Sequence, residues 1–229
     1  MEPREKNPRR HLVLLISILL LFVVSPFAAT LRFGVVVLNV FGAIVLLSGT
    51  YAVSERKHLF VIALVLAVVS VLAGAAMFIW PGKWIGLATQ ASTLVTLALF
   101  SVSILRHVLR SGRITADKIY AAICVYLLIG YAWAFADAIL EGLNPGSFSI
   151  SPNVTSVNEH IDRTMQLRYF SFMTLTTVGY GDIVARSPMA RTFAMLEALM
   201  GQLYVAVLIA RLVGLHIVHG IDSESRDKN

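Results

Sequence analysis

Thr176-Thr177-Val178-Gly179-Tyr180-Gly181-Asp182 is the stretch on which the reading of this chain turns, and it stands between two long apolar runs near the C-terminus. In an ordinary strand successive carbonyls point to opposite sides. They face one side only where the backbone alternates between left- and right-handed conformations. Gly179 and Gly181 take positive φ at little steric cost, and with no side chain they let neighbouring strands approach closely. Val178 and Tyr180 are then expected to point the other way and brace the loop from behind. The carbonyls of Thr177, Val178, Gly179 and Tyr180, with the Thr177 hydroxyl at the inner end, form a stack of oxygens. Such a stack can replace the water around a dehydrated cation.

The residues leading in, Tyr169-Phe170-Ser171-Phe172-Met173-Thr174-Leu175-Thr176, read as a short helix. An apolar helix precedes it, Asp182 follows the loop, and another apolar helix comes after. This arrangement resembles the pore-loop potassium channels, whose filter sequence is Thr-Val-Gly-Tyr-Gly. The resemblance covers the filter and its two flanking helices. It implies a homotetramer, because one strand cannot enclose an ion and four around an axis can. It implies passive, potassium-selective conduction with K+ as the permeant ion, no other cofactor and no enzyme chemistry. The loop is then re-entrant, which membranes tolerate where protein buries it or it lines a water-filled cavity. The C-terminal end of the short helix points into the pore, where its partial negative charge favours a cation.

The resemblance also assigns Thr176, Asp182 and Tyr169 to support of the filter. Here the chain departs from the common pattern. Many relatives carry tryptophans where this one has Tyr169 and Phe170, and some carry a filter-bracing carboxylate at the position of Met173. Tyr169 still has a hydroxyl able to bond Asp182.

Composition sets the class. Of 229 residues, 57% are hydrophobic and 14% charged, with a mean hydropathy of +0.77, which no soluble domain of this size shows. Apolar runs of about 20 residues argue for membrane-spanning helices. The lone Cys124 has no intrachain disulfide partner and no metal-ligand neighbours in sequence. The net charge of +6 would suggest nucleic acid only if its placement were ignored. The charges sit in the loops and report topology; a lipid bilayer is the partner, and nucleic acid is not.

Six spans are expected, over 12–30, 33–53, 59–79, 85–105, 116–140 and 189–212. They compose an all-α membrane protein with a pore helix and filter between the fifth and sixth. The basic stretches lie on one side: Arg4, Lys6, Arg9 and Arg10; Arg56 and Lys57; Arg106, Arg110, Arg113 and Lys118. The positive-inside rule makes that side cytoplasmic. Both termini are then cytoplasmic, in a multi-pass protein of the cell membrane, read as a bacterial inner membrane. Trp80 and Trp84 flank the Pro81-Gly82 turn as interfacial anchors. The division expected is a basic N-terminus (1–11), a four-helix domain (12–105), a basic linker (106–115), a pore domain (116–214) and a short tail (215–229). The first span, with its basic start and Pro26-Phe27-Ala28-Ala29, also resembles a signal peptide, but its length favours a retained helix. Asn153-Val154-Thr155 fits a glycosylation sequon in the outer loop, but a chance triplet in a bacterial protein is the favoured reading.

Six spans with a terminal pore resemble the voltage-gated layout, yet the fourth span has no basic residue before Arg106. Moving one charge through 100 mV is worth only about 2.3 kcal/mol, so voltage sensing needs several arginines inside the membrane. Conventional voltage sensing is therefore excluded, and Arg106, Arg110 and Arg113 are read as interfacial anchors. In the sixth span Gly201 lies where the family often has a gating hinge; close helix packing through a small residue is the alternative. Glu197, one turn earlier, is a carboxyl inside a membrane helix, which marks a functional site by default. It is expected to brace the pore helix through Ser171, Thr174 or Thr176, or else to face the cavity and attract cations. Arg211 reads as a snorkelling anchor. The gating stimulus stays open: voltage on ions in the filter, pH through His160 or His216, lipids, or an unlinked cytoplasmic regulator. Three other functions compete: a potassium-uptake transporter subunit, which normally packs four degenerate pore loops into one chain where this one has a single intact copy; a weakly selective cation channel; and a non-conducting regulatory or scaffold subunit.

Overall fold

The computed structural model describes residues 9–31, 33–54, 57–80, 82–110, 115–149 and 159–226. Arg4, Lys6, Arg32, Arg56, Pro81, Arg113 and the Asn153–Thr155 triplet lie outside them, as do the side chains of His160 and His216. Seven helices follow in order: α1 (Arg10–Thr30), α2 (Gly34–Ala52), α3 (Lys57–Ile79), α4 (Lys83–Val108), α5 (Ala116–Leu143), α6 (Glu159–Leu175) and α7 (Pro188–Arg226). Six of them, all but α6, are long and apolar enough to cross a membrane, and they coincide with the six expected spans. Among the described residues the one departure from an all-helical fold is a ribbon of two residues per strand. In it β1 (Phe148–Ser149) pairs antiparallel with β2 (Val184–Ala185), Phe148 facing Ala185.

Two boundaries differ from expectation. The helix before the filter begins at Glu159, ten residues before Tyr169. The helix thus absorbs part of what read as polar loop. At the other end α7 runs through the expected tail to Arg226, since nothing between Leu212 and Arg226 interrupts a helix except Gly214 and Gly220.

Local chemistry explains how the apolar helices persist. Pro26, inside α1, has no N–H to give the Phe22 carbonyl one turn earlier. The Ser25 hydroxyl donates to that carbonyl instead, at 3.0 Å, the usual repair for proline in a membrane helix. Thr115 caps α5, its hydroxyl accepting from the Lys118 amide.

The main core gathers α1, α2, α4 and α5 around Leu14, Ile18, Phe100, Ile104, Val125 and Leu128, each at most 1% exposed. α1 is therefore built into the bundle, its Phe22 ring meeting Tyr131 of α5 and Phe172 of α6. α4 packs most extensively on α5, so the first four helices lie against the following helices of the same chain. A second core, at the C-terminal end of α5, joins Leu140, Phe148, Leu167, Phe170 and Ile183. α3 and α7 show long apolar faces bare of their own chain, α7 with only 11% of its span buried.

Candidate functional site

The loop after α6 alternates in backbone hand as its carbonyl stack requires. Thr177 has φ 59°, Gly179 φ 50° and Gly181 φ 80°, every second residue. The glycines were anticipated there; Thr177 was not, and a β-branched residue at positive φ is strained. On the rear side the amides of Val178 and Gly179 both donate to the Met173 carbonyl (2.9 and 3.2 Å), and that of Thr177 to Thr174 (2.9 Å). Among the described residues the carbonyls of Thr177, Val178, Gly179 and Tyr180 accept no hydrogen bond. Val178 and Tyr180 stand 49% and 73% exposed within the single chain.

Of the supporting residues, Tyr169 lies near enough to Asp182 to interact with its side chain, and Asp182 accepts from the Ile183 amide at 3.1 Å. The Thr176 hydroxyl turns back to the Phe172 carbonyl at 2.6 Å. Gln202 of α7, absent from the sequence expectation, donates to the Thr177 hydroxyl at 3.1 Å. Its only sequence signal was its place beside Gly201.

Gly201 is held against α6. A Cβ there would lie 2.1 Å from the Leu175 carbonyl oxygen and 3.0 Å from its carbon, so only glycine allows this approach. α7 passes through Gly201 as one continuous helix. One turn earlier, Glu197 is fully buried with its Oε1 at the Ser171 hydroxyl, behind α6, while Thr174 and Thr176 are not its partners. Ser171 also donates to the Gly130 carbonyl at 2.7 Å. A hydroxyl has one hydrogen, so one of these two contacts needs a hydrogen from Glu197, as a carboxylic acid supplies. Gly130 itself packs on the Phe172 ring, which a Cβ would meet at 2.6 Å.

Two further acids of α5 were missed. Asp137 is fully buried, with both oxygens lacking a hydrogen-bond partner among the described residues, and is near enough to Glu197 to interact with it electrostatically. Glu141 takes the amides of Gly146 (2.9 Å) and Phe148 (3.1 Å), closing the turn that leads into β1. The Arg186 amide then donates to Ser147 (2.7 Å), tying the segment after the filter to that turn. Neither acid belongs to a motif; a carboxyl in an apolar run was the available signal. Arg211, expected to reach free toward the interface, instead donates to the Arg110 carbonyl at 2.8 Å.

Six apolar helices and this loop define a membrane protein of the ion-channel class, and a family model described as Ion channel matches residues 147–215. The chain is 32% identical over 101 residues to Protein LctB of Bacillus caldotenax, covering 44% of this chain and 74% of that one. It is 31% identical over 103 residues to Protein LctB of Geobacillus stearothermophilus, with the same coverage. It belongs to that family. It is also 30% identical over 126 residues to the Voltage-gated potassium channel Kch of Escherichia coli (strain K12), which is 55% of this chain but 27% of that longer protein. These relatives point to a channel and not to an enzyme.

Proposed function

We infer that four copies of this chain assemble around a re-entrant loop and conduct K+ selectively and passively. The observation that carries this reading is the alternating hand at Thr177, Gly179 and Gly181, with the amides engaged behind and four successive carbonyls unbonded. Stacked rings of such carbonyls can replace the hydration shell of a potassium ion. Thr177, Val178, Gly179 and Tyr180 supply the oxygens; Thr176, Asp182, Tyr169 and Gln202 hold the loop. The bare apolar face of α7 supports assembly, since an inner helix surrounded by its copies leaves little for its own chain to cover. The basic ends of the helices support a cytoplasmic position for both termini, by the positive-inside rule. α4 carries no arginine before its last turn, where Arg106 and His107 lie, so opening does not rest on a conventional voltage sensor. Gly201 acts here by packing α7 onto α6, and Glu197 by bracing α6.

Potassium-gradient flux into liposomes holding the purified full chain tests this, with sodium as comparison and barium as blocker. Potassium-selective, barium-sensitive flux supports it. Equal sodium flux replaces it with a weakly selective channel, and absence of flux across pH and voltage with a regulatory subunit.

A further inference from the structure

At the end of the bundle away from the filter, three helices bring together side chains that the conduction loop does not use. His11 of α1 places Nδ1 2.8 Å from Asp117 Oδ2 of α5, and His107 of α4 places Nε2 3.7 Å from the same oxygen. The two imidazoles stack with centroids 5.1 Å apart. All three ligand atoms lie within 4.8 Å of one another. His11 is 1% and Asp117 4% exposed, and the second carboxylate oxygen, Oδ1, is buried without a hydrogen-bond partner among the described residues.

We propose that His11, His107 and Asp117 form a binding site for a divalent transition-metal ion of the zinc type, which clamps α1, α4 and α5 together. Zinc takes imidazole nitrogen and carboxylate oxygen at about 2.0–2.2 Å, so tetrahedral donors sit about 3.4 Å apart. The observed separations straddle that value, and shifts of about an ångström bring all three into range. Two histidines and one carboxylate leave a fourth position open, which suits zinc and not the oxygen-seeking Mg2+ or Ca2+. A cavity of about 40 Å3 adjoins the imidazoles and has room for a water there; Arg10, Ser103, Arg106 and Arg110 also line it. Those guanidinium groups oppose a cation, so the affinity is set below that of a structural zinc site and suits reversible occupancy. A simple Asp–His pin accounts for one histidine at Asp117. It does not account for the second imidazole stacked on the first, or for the unpaired Oδ1.

The site is placed to influence the pore. His107 precedes Arg110 by three residues, and the Arg110 carbonyl receives Arg211 of α7. An ion drawing His107 toward Asp117 therefore acts next to a link between the end of α4 and the inner end of α7. This consequence rests on the channel reading; the binding itself does not.

The test is zinc titration of the full chain in detergent against a chromogenic zinc indicator, after stripping with chelator. One ion per chain is expected. Second-sphere changes alone cost 10–100-fold in metal affinity, so loss of a ligand in His107→Gln or Asp117→Asn is expected to weaken binding about 100-fold or more. His58→Gln, at an exposed position in the first turn of α3, is expected to leave it unchanged. X-ray absorption of the zinc-loaded wild-type chain is expected to show two imidazoles and no sulfur, and it decides the matter even if a variant does not fold. No retained zinc, zinc binding unaffected by the His107 and Asp117 changes, or a spectrum without two imidazoles overturns the proposal. In liposomes, zinc on the inner side should alter potassium flux in wild type and not in His107→Gln. Lack of flux before zinc is added would be a failure of the channel reading, whereas flux indifferent to bound zinc removes only the regulatory consequence.

Discussion

The two ends of α5 each bury a carboxylate, and they satisfy it in opposite ways. At the outer end Glu141, 4% exposed, accepts from two backbone amides of its own turn, at residues 146 and 148. At the inner end Asp117, also 4% exposed, meets two imidazoles from helices more than a hundred residues before it and ten before it. Backbone amides neither titrate nor exchange ligands, so the outer end behaves as a fixed strut. It holds the ribbon β1–β2 and, through Arg186 and Ser147, the chain leaving the filter. Imidazole nitrogens can serve as metal ligands, so the inner end is the one open to exchange. Stability belongs beside the filter and responsiveness at the opposite face.

The strongest way to break this contrast is Glu141→Ala. It leaves two amides in the turn without their acceptor, at about 1–3 kcal/mol per buried unsatisfied group. A loss of about 3 kcal/mol is expected, read as a marked fall in thermal midpoint by tryptophan fluorescence in detergent. If its midpoint falls no further than that of Asp117→Asn, the outer end is not the fixed one. Gly201→Ala probes the level between the two ends. Its Cβ would press on the Leu175 carbonyl, and overpacking of this kind costs about 1–3 kcal/mol. Unchanged melting and unchanged flux in Gly201→Ala would leave the α6–α7 contact without importance. Asp117→Asn keeps the side-chain shape and one acceptor, so about 1 kcal/mol or less is expected, in line with the modest worth of polar contacts between membrane helices. Its larger signature is the loss of zinc affinity. Glu197→Gln should be the mildest, because an amide can still donate to Ser171. Single-channel recording is expected to show selectivity kept and open probability shifted, and unchanged opening together with unchanged tetramer melting would refute the brace.

Much of the architecture is legible in the chain itself. Runs of apolar residues at membrane length force helices, because a backbone without water must bond within its own segment; the six spans follow from that alone. Gly179 and Gly181 announce their positive φ, since glycine is the residue that pays least for it. Glu197 announces itself as a carboxyl where hydrocarbon is expected. The alternation at Thr177 was hidden because a threonine does not advertise a left-handed backbone. The extra turns of α6 were hidden because its polar residues read as loop.

The Ser171–Glu197 contact was legible as one of three candidates, because a carboxyl in a membrane helix must find a polar neighbour nearby. Other side-chain partners were not, because they join residues far apart in sequence: His11 meets Asp117 across 106 positions, and Arg211 meets Arg110 across 101. Apolar periodicity says which segments enter the membrane and leaves their mutual rotation free. Packing sets that rotation, through contacts such as Gly201 on Leu175 and Gly130 on Phe172. Only once it is set does each buried polar group acquire a particular neighbour. Local chemistry is thus sufficient for the helices and for the glycine turns of the loop after α6, whereas the choice of Ser171 as the partner of Glu197 and the histidine–carboxylate cluster exist only in three dimensions.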